Sequence, residues 1–411
     1  MRILLIHQAF AALGEPGGTR HHEFCRWLVG QGHSVTVVTS RVSYLTGQPV
    51  SARHTQVEET DDGGVRIIRC WSYRAYHRSF VHRVLSFLSF MFSSVVASLR
   101  QGPMDVVWGT SPPLMQGWSA WAVARMRRAA FLFEVRDLWP EFAIAVGVLR
   151  SRPLIRLSLW LEGFLYRHAD TVVVNSPGFV EHVRRGGARQ VHLIPNGVDL
   201  EMFRPQDDGQ AFRQEHGLTG RFVVLYAGAH GLSNDLGVLL DAASILSGHP
   251  EIVLVLLGDG KEKPGLMARA GAEGLENLRF VAPVAKREMA GALAAADVCL
   301  AILKPLEVYK TTYPNKVFDY MAAGRPTILA IDGVIRQAVE EAGAGVFVPP
   351  GDGAALARAI VSLAADGEAR QRMGRAARQA AEQAYDRRRL AAQMLQVMQS
   401  MQTNSRGRRD G

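Results

Sequence analysis

The sequence predicts an α/β protein with two Rossmann-like domains, each built around a parallel sheet. Short apolar runs alternate with helical patterns in both halves of the chain, which is typical of sheets assembled from βαβ units. The two series of runs are separated at residues 195–205, where Pro, Asn and Gly interrupt the pattern. A length of 411 residues also favours two cores over one. We expect two such domains to face a central cleft that holds the functional site.

The predicted strands are short apolar runs bounded by turn residues. In the first half they cover residues 3–6, 35–38, 65–68, 106–108, 130–133, 171–174 and 191–194. In the second half they cover residues 222–226, 252–257, 278–281, 298–302, 327–330 and 345–348. We therefore predict a first domain at residues 1–200, a second at 201–385, a C-terminal helix at 386–403 and a disordered polar tail at 404–411.

The composition favours an anionic partner. The formal net charge is +9, and most of it comes from arginine-rich clusters at residues 125–128, 184–189, 387–389 and 406–409. Such a charge attracts polyanions or an anionic membrane surface. No aromatic side chains are interleaved with the basic clusters and no recognition-helix pattern accompanies them, so nucleic acid is not the expected partner.

The cysteines and carboxylates give no sign of a metal site. Cys25, Cys70 and Cys299 are far apart and odd in number, without Cys-x-x-Cys or Cys/His spacing. An Asp-x-Asp pair of the kind that binds divalent ions is also missing from the sequence. We expect no metal, no cofactor and a reducing, cytoplasmic location.

Residues 84–99 come closest to a membrane span. The segment carries no charge, but it is shorter than the roughly 20 apolar residues that a spanning helix needs. Serines recur along it at helical spacing and give one mildly polar face. Two interpretations stay open: a crossover helix packed in the core, or a surface helix that dips into lipid.

The most informative motif is the stretch Tyr313-Pro-Asn-Lys-Val-Phe-Asp-Tyr-Met-Ala-Ala-Gly-Arg-Pro326. It places Asp319 on a helix whose N-terminus lies beside Lys316. A helix N-terminus with a nearby cation favours an anion, whereas a carboxylate favours the hydroxyl groups of a polyol. An anion joined to a polyol is what a nucleotide-sugar presents. We therefore expect Tyr313, Asn315, Lys316 and Asp319 to bind such a donor.

Glycine-rich turns follow two of the predicted strands and can bring backbone N–H groups close to a phosphate. The first contains Gly17 and Gly18 and follows residues 3–6; a plain turn is the alternative. The second contains Gly228 and His230 and follows residues 222–226.

Further donor contacts are expected from lysines and from the loop at residues 281–285. Four residues are candidates to supply positive charge to a diphosphate: His230, Lys261, Lys310 and Lys316. Lys310 and Lys316 are favoured because they flank the loop before the Asp319 helix. A solvated surface charge is the alternative for each lysine. Val284, within residues 281–285, is expected to line a nucleobase pocket.

A cluster of ionisable residues follows the predicted strand 130–133, at the sheet edge where open α/β sheets bind ligands. Its sequence is Glu134-Val-Arg136-Asp137-Leu-Trp-Pro-Glu141. Asp137 could accept a hydrogen bond from a sugar hydroxyl, while Arg136 or Glu141 contacts the acceptor. The alternative is that Arg136 and Asp137 simply pair with each other. Together with Lys316, Arg136 and Asp137 are the candidate catalytic residues.

These segments resemble family-4 retaining glycosyltransferases over nearly the whole chain. The 313–326 motif resembles the second acidic position of that family, which holds the donor ribose. The earlier acidic position falls on Thr311, and the family's diphosphate-binding Arg and Lys are replaced by Ala229 and Asn234. Three further segments are similar to the WbuB-like branch, the amino-sugar transferases of O-antigen assembly: 133–141, 194–199 and 226–231.

The resemblance implies the two-domain fold called GT-B, in which the C-terminal helix crosses back onto an acceptor-binding first domain. It implies metal-independent, retaining transfer of a sugar, for example an N-acetylated amino-deoxy sugar, from a nucleotide-diphosphate donor such as a UDP-sugar. The implied acceptor is polyprenyl-diphosphate-linked or a saccharide, in the synthesis of lipopolysaccharide O-antigen or another exopolysaccharide. In that mechanism the departing β-phosphate accepts the acceptor proton. The implied location is cytoplasmic, peripheral on the inner face of the plasma membrane.

Two other functions fit the same fold. A nucleotide-sugar 2-epimerase would use cleft carboxylates as acid and base, and it would turn over the donor without an acceptor. A non-catalytic nucleotide-sugar binder is compatible with Thr311, Ala229 and Asn234, which stand where the family has polar or charged ligands.

Overall fold

The computed structural model describes residues 1–11, 18–42, 57–61, 63–74 and 79–407. The chain forms two compact units. Of the described residues, unit 1 comprises those from 1 to 195 and from 388 to 407, and unit 2 comprises residues 196–387. The chain thus leaves unit 1 after Pro195, inside the predicted break, and returns to it after Arg387.

Unit 1 is built on a sheet that is parallel except at one edge. Its strands within the described residues are β1 (Arg2–Ile6), β2 (Ser34–Ser40), β3 (Val57–Thr60), β4 (Arg66–Cys70), β5 (Val106–Ser111), β6 (Ala130–Val135), β7 (Thr171–Val174) and β8 (Val191–Leu193). Their order across the sheet is β3-β4-β2-β1-β5-β6-β7-β8, and β3 is antiparallel to β4. Every strand predicted for this half is present. The edge strand β3 was missed because Val-Glu-Glu-Thr has too few apolar residues to signal a strand.

Helices cover both faces of this sheet. They are α1 (Arg20–Gly30), α2 (Phe80–Leu99), α3 (Leu114–Arg127), α4 (Glu141–Ala145), α5 (Arg152–His168) and α6 (Val180–Arg185). Because side chains alternate along a strand, Leu4 and Ile6 of β1 pack against α2, α3 and α5, whereas Ile3 and Leu5 pack against α1.

Unit 2 contains a second, wholly parallel sheet. Its strands are β9 (Phe222–Ala227), β10 (Ile252–Leu257), β11 (Leu278–Val281), β12 (Val298–Ile302), β13 (Thr327–Ala330) and β14 (Gly345–Phe347), in the order β11-β10-β9-β12-β13-β14. All strands predicted for this half are present. Successive strands are added on one side of β9 as far as β11 and on its other side from β12 onward. Open α/β sheets bind ligands at such a switch point, here between β9 and β12.

The helices of unit 2 flank that sheet. They are α7 (Gln210–Glu215), α8 (Gly237–Ile245), α9 (Lys263–Ala272), α10 (Met289–Ala295), α11 (Asn315–Ala322), α12 (Val334–Glu341), α13 (Gly353–Ala365) and α14 (Gly367–Ala384). The Asp319 motif forms α11, and buried Val317, Phe318 and Met321 anchor it in the core.

The last helix, α15 (Arg387–Gly407), belongs to unit 1 from residue 388 onward. Its Leu390, Met394 and Met398 join the apolar layer that contains Ile3 and Leu5. The predicted tail began at residue 404, but residues 404–407 continue the helix. Residues 408–411 lie outside the described part.

Helix α2 contains the segment 84–99, for which the sequence left open a core-packed helix or a surface helix that dips into lipid. Within the described residues, Val81–Leu99 is the one stretch that is long and apolar enough to cross a membrane by length and composition. One face of α2 is nevertheless held on unit 1: Phe90 is buried, Ser119 Oγ donates to Met91 O (2.9 Å), and Tyr73 N donates to Ser89 Oγ (2.9 Å).

Candidate functional site

Two glycine turns meet at the carboxyl ends of β9 and β10. Gly228 and Gly258 have φ values of +147° and +142°, a region that favours glycine. A Cβ atom on Gly258 would lie 1.9 Å from Gly228 O, and one on Gly228 would lie 2.7 Å from Lys316 Nζ. Glycine therefore lets both turns and the start of α11 approach one another at the switch point.

Lys316 brings a cation to this arrangement. It lies in the first turn of α11, with Nζ 3.8 Å from the centroid of the Tyr226 ring. Nζ has no hydrogen-bond partner among the described residues, and burial lowers the pKa of the ammonium to about 7. A helix N-terminus combined with an unsatisfied ammonium fits a phosphate group.

His230 lies in the same turn as Gly228. Its side chain is fully buried, and neither Nδ1 nor Nε2 has a hydrogen-bond partner within the described chain. Burial and the nearby Lys263 ammonium lower the pKa of His230 to about 4, so the ring is neutral at pH 7. Buried polar atoms are almost always hydrogen-bonded in native proteins, and these two therefore fit a ligand.

Asp319 lies one turn further along α11 and is 8% exposed. Its Oδ2 is 2.5 Å from Lys286 Nζ, and Lys286 also lies 4.9 Å from the centroid of the Phe203 ring. Oδ1 has no hydrogen bond within the described residues and can accept one from a hydroxyl group. Lys286 was not among the predicted site residues; the available signal was its place shortly after β11, directly following the loop 281–285 assigned to the nucleobase.

Three other residues that were predicted to contact the nucleotide-sugar lie around α11 and β11. Tyr313 packs on Phe318, with ring centroids 5.5 Å apart, and its carbonyl accepts from Asn196 Nδ2 at 2.8 Å. Asn315 is the exposed first residue of α11, and Val284 is partly buried against the core of unit 2. All three remain predictions as donor contacts.

The remaining predicted cations are engaged or exposed. Lys310 Nζ lies 2.7 Å from Glu307 Oε1 and 4.0 Å from Asp332 Oδ2, so acidic neighbours already offset its charge. Lys261 is exposed, while the nearby Lys263 donates to Gly258 O at 2.7 Å. Of the four candidates, Lys316 and His230 are therefore the two whose side-chain nitrogens are buried without a hydrogen-bond partner among the described residues.

In unit 1, Arg136 and Asp137 do not pair with each other within the described residues. Arg136 donates from Nε to Ser111 O and from Nη2 to Pro112 O, both at 3.2 Å. Burial raises the pKa of Asp137 to about 6, although the positive charge of Arg136 opposes the shift. Asp137 is therefore a carboxylate poised to exchange a proton near neutral pH.

Glu141 begins α4 and is half-exposed. Its Oε2 lies 3.3 Å from His182 Nδ1, and His182 Nε2 lies 2.9 Å from Glu162 Oε1. The hydrogen bond to Glu162 raises the pKa of His182. Glu141 is thus available at the surface of unit 1, and an acceptor contact there stays a prediction.

A buried network centres on Glu134, whose role the sequence did not reveal. Its carboxylate accepts from Arg20 Nε (3.0 Å), His21 Nε2 (2.8 Å) and Trp108 Nε1 (3.0 Å). Burial alone would raise the pKa of Glu134, but the charges of His21 and Arg20 hold it well below its usual range. Arg20 also donates to Ile194 O at 2.9 Å. The network therefore connects the start of α1 to the residue that follows β8, just before the chain leaves unit 1.

The glycine loop before α1 is only partly described. Gly17 lies outside the described residues, and Gly18 is exposed shortly before α1 begins. Contact of either glycine with a diphosphate stays a prediction. Within the described chain, no group of three or more His, Cys, Asp or Glu side chains could hold a metal ion.

Glu134→Gln is expected to destabilise the protein by about 3 kcal/mol, because the amide leaves Arg20 buried without its counter-charge. Urea denaturation monitored by circular dichroism measures this loss. The matched control is Glu181→Gln on α6, whose carboxylate pairs with Arg185 in solvent; that change should cost less than about 0.5 kcal/mol. Equal effects of the two substitutions would show that the buried network is not stabilising.

Comparison with known proteins matches each half of the chain to a glycosyltransferase domain. Residues 17–197 match the glycosyl transferase 4-like domain, and residues 221–366 match the domain described as glycosyl transferases group 1. The putative colanic acid biosynthesis glycosyl transferase WcaI of Escherichia coli K12 is 24% identical over 75% of this chain and 78% of its own.

Two solved structures share the fold over nearly the whole chain. Sucrose-phosphate synthase from Thermosynechococcus elongatus superposes with a TM-score of 0.79 at 20% identity, covering 97% of this chain and 98% of its own. HepE from Anabaena, solved in complex with UDP-glucose, gives a TM-score of 0.73 at 18% identity, covering 97% and 100%. The predicted GT-B fold is confirmed, and the chain is a glycosyltransferase in which a glycosyl transferase 4-like domain precedes a glycosyl transferases group 1 domain.

Proposed function

We propose that this enzyme transfers a sugar from a nucleotide-diphosphate donor to a lipid-linked or saccharide acceptor, with retention of configuration. The observation that carries the proposal is the presence of two side chains on α11. The Lys316 ammonium at its N-terminus has no hydrogen-bond partner among the described residues, and the Asp319 carboxylate follows one turn later. The first suits a diphosphate and the second suits a ribose hydroxyl.

Unit 2 would hold the donor. The α11 N-terminus, Lys316 and His230 would bind the diphosphate, and Asp319, held by Lys286, would accept a hydrogen bond from the ribose. Since HepE has been solved with UDP-glucose, UDP-sugars are the first donors to test. When the sugar leaves, negative charge develops on the β-phosphate, and a fixed ammonium beside it stabilises that charge.

Unit 1 would supply the groups for the acceptor. Asp137, with its pKa near 6, would accept a hydrogen bond from a sugar hydroxyl, and Arg136 is fixed by two carbonyl groups beside it. We assign proton acceptance to the departing β-phosphate, as the family resemblance implies. The likeness to WcaI, a putative colanic acid biosynthesis glycosyl transferase, supports a role in surface polysaccharide synthesis. The resemblance to the WbuB-like branch adds the cytoplasmic side of the membrane as the location and an amino sugar among the donors to test.

The first experiment is a thermal-shift screen of the purified chain against nucleotide-sugars, because a ligand that binds only the folded state raises the melting temperature. Hits are then incubated with polyprenyl-diphosphate-linked sugars and with free saccharides, and the anomeric configuration of the product is read by NMR. A retained configuration is expected. Isomerised donor without acceptor would replace the proposal with an epimerase, and binding without transfer to any acceptor would replace it with a binding protein.

Asp137→Asn is expected to lower the transfer rate by about 10- to 100-fold without changing donor affinity, because the amide keeps the shape but loses the charge that orients a hydroxyl. Initial rates and calorimetric donor affinity measure the two effects. Glu181→Gln, elsewhere on the surface of unit 1, serves as the control. An unchanged rate in the Asp137 variant would exclude this carboxylate from the reaction.

A further inference from the structure

Large hydrophobic side chains reach solvent mainly on three helices of unit 1. Of the sixteen that are exposed among the described residues, nine lie on α2, α3 and α5, whereas unit 2, of comparable size, has three. Single exposed hydrophobic residues are normal on a soluble protein, but a concentration on neighbouring elements marks an interaction surface. Helix α3 packs against both α2 and α5, so the three helices form one layer on the sheet.

The exposed residues of α2 form a single stripe. Val81, Leu85, Phe92 and Val96 are 63%, 45%, 61% and 51% exposed, and their spacing of 4, 7 and 4 residues keeps them on one side of a helix. Phe90 is buried on the other side of the helix. Helix α2 is thus attached to unit 1 by one face and presents an apolar stripe to solvent on the other.

Aromatic side chains extend this surface from α3 to α5. Neighbouring ring centroids lie 6.2 Å apart for Trp118 and Trp121, 4.8 Å for Trp121 and Phe164, and 5.5 Å for Phe164 and Trp160. Trp160 is 57% exposed. Tryptophan is enriched where proteins meet the bilayer interface, because its ring is apolar and its N–H is polar.

The charged side chains that α2, α3 and α5 expose to solvent are all basic. The sequences of α2, α3 and α5 contain a single acidic residue, Glu162, which is 4% exposed and accepts a hydrogen bond from Tyr166 OH. Arg125, Arg152 and Arg156 are exposed on α3 and α5. An apolar surface whose own helices expose basic and no acidic side chains is complementary to anionic lipid headgroups above acyl chains.

We propose that the outer face of α2, α3 and α5 is a docking surface for an anionic lipid bilayer, with α2 lying in the interface and not crossing the membrane. Crossing would require α2 to give up the bonds from Ser119 Oγ to Met91 O and from Tyr73 N to Ser89 Oγ. A second copy of the chain fits the surface less well, because two such faces would bring like charges together. The proposal rests on the proposed function in one respect, since a lipid-linked acceptor would lie in the same bilayer.

The test is co-sedimentation of the full chain with vesicles of phosphatidylcholine, alone or mixed with phosphatidylglycerol. Strong binding is expected only to the mixed vesicles. Trp160→Ser and Arg156→Glu should each weaken that binding by about tenfold, through lost apolar burial and lost attraction. The matched controls lie in unit 2: Ile245→Ser, 56% exposed, and Arg372→Glu, whose side chain is 61% exposed. Both controls should bind as the unaltered chain does.

Four results would overturn the proposal. The first is no preference for anionic vesicles, and the second is an equal loss of binding in variants and controls. The third is retention in the bilayer after alkaline carbonate extraction, which would mean that α2 spans it. The fourth is self-association in vesicle-free solution that Trp160→Ser abolishes while no vesicle binding occurs. Nucleotide-sugar affinity in vesicle-free buffer is measured for every variant; it should stay unchanged, so a failure of lipid docking is distinguishable from a failure of the donor assignment.

Discussion

Asp319→Asn is expected to weaken nucleotide-donor binding by about 10- to 100-fold, the loss associated with a hydrogen bond to a charged acceptor. The carboxylate is 8% exposed, its Oδ2 is taken by Lys286, and its Oδ1 is available for a hydroxyl. Asparagine keeps the side-chain shape and one carbonyl acceptor but removes the charge. Isothermal calorimetry with UDP and with uridine measures the effect. Because both ligands carry the ribose, both affinities should fall by a similar factor.

The Lys286–Asp319 pair calls for a second variant. Lys286→Met removes the cation and keeps an extended apolar side chain over the Phe203 ring, which lies 4.9 Å from Nζ. If Asp319 serves only to balance Lys286, both substitutions should lower the melting temperature while leaving nucleotide affinity unchanged. If Asp319 binds ribose, its variant should lose affinity for uridine at temperatures where the protein stays folded. Unchanged uridine and UDP affinities in Asp319→Asn would reject the ribose assignment.

The local parts of the candidate site were predictable from sequence, and the parts that depend on distant residues were not. Lys316 and Asp319 lie three positions apart in one amphipathic segment, so helical geometry alone places them on one short helix. By contrast, the partner of Asp319 comes from residue 286 and the partners of Glu134 come from residues 20, 21 and 108. No periodicity links such positions; the sheet order brings them together.

Charge balance explains the differences among the predicted cations. Lys310 and Lys316 both flank the same loop, but Lys310 has Glu307 three residues earlier and pairs with it. Lys316 has no acidic residue at three or four positions on either side except Asp319, which is paired with Lys286. The sequence thus identified the segment that contains both lysines. The contacts of Glu307 with Lys310 and of Asp319 with Lys286 were needed to tell which lysine keeps a free ammonium within the described residues.

Lys316→Met is expected to lower the rate of sugar transfer by about 100- to 1000-fold, the effect seen when a preorganised group that stabilises developing charge is removed. Methionine keeps the packing over the Tyr226 ring, where Nζ lies 3.8 Å from the centroid, so folding should be little affected. Uridine affinity should be unchanged, because uridine has no phosphate, whereas UDP affinity should fall. Lys310→Met is the matched control, since that ammonium already pairs with Glu307. A normal transfer rate in Lys316→Met would contradict the assignment.

The same lysine predicts how UDP affinity depends on pH. Burial lowers the pKa of Lys316 to about 7 in the ligand-free protein, and a bound diphosphate raises it by favouring the ammonium. Below pH 7 the ammonium is already formed, so UDP affinity should be insensitive to this group. Above pH 7 binding must first recruit a proton, so affinity should fall by up to tenfold per pH unit until the pKa of the bound state is reached. His230, with a pKa of about 4, stays neutral throughout this range.

Calorimetry at pH 8 in two buffers of different ionisation enthalpy should show uptake of a proton on UDP binding. That uptake should disappear in Lys316→Met and Lys316→Arg, because neither a methionine nor an arginine at this position takes up a proton at pH 8. It should persist in Lys310→Met, which leaves Lys316 in place.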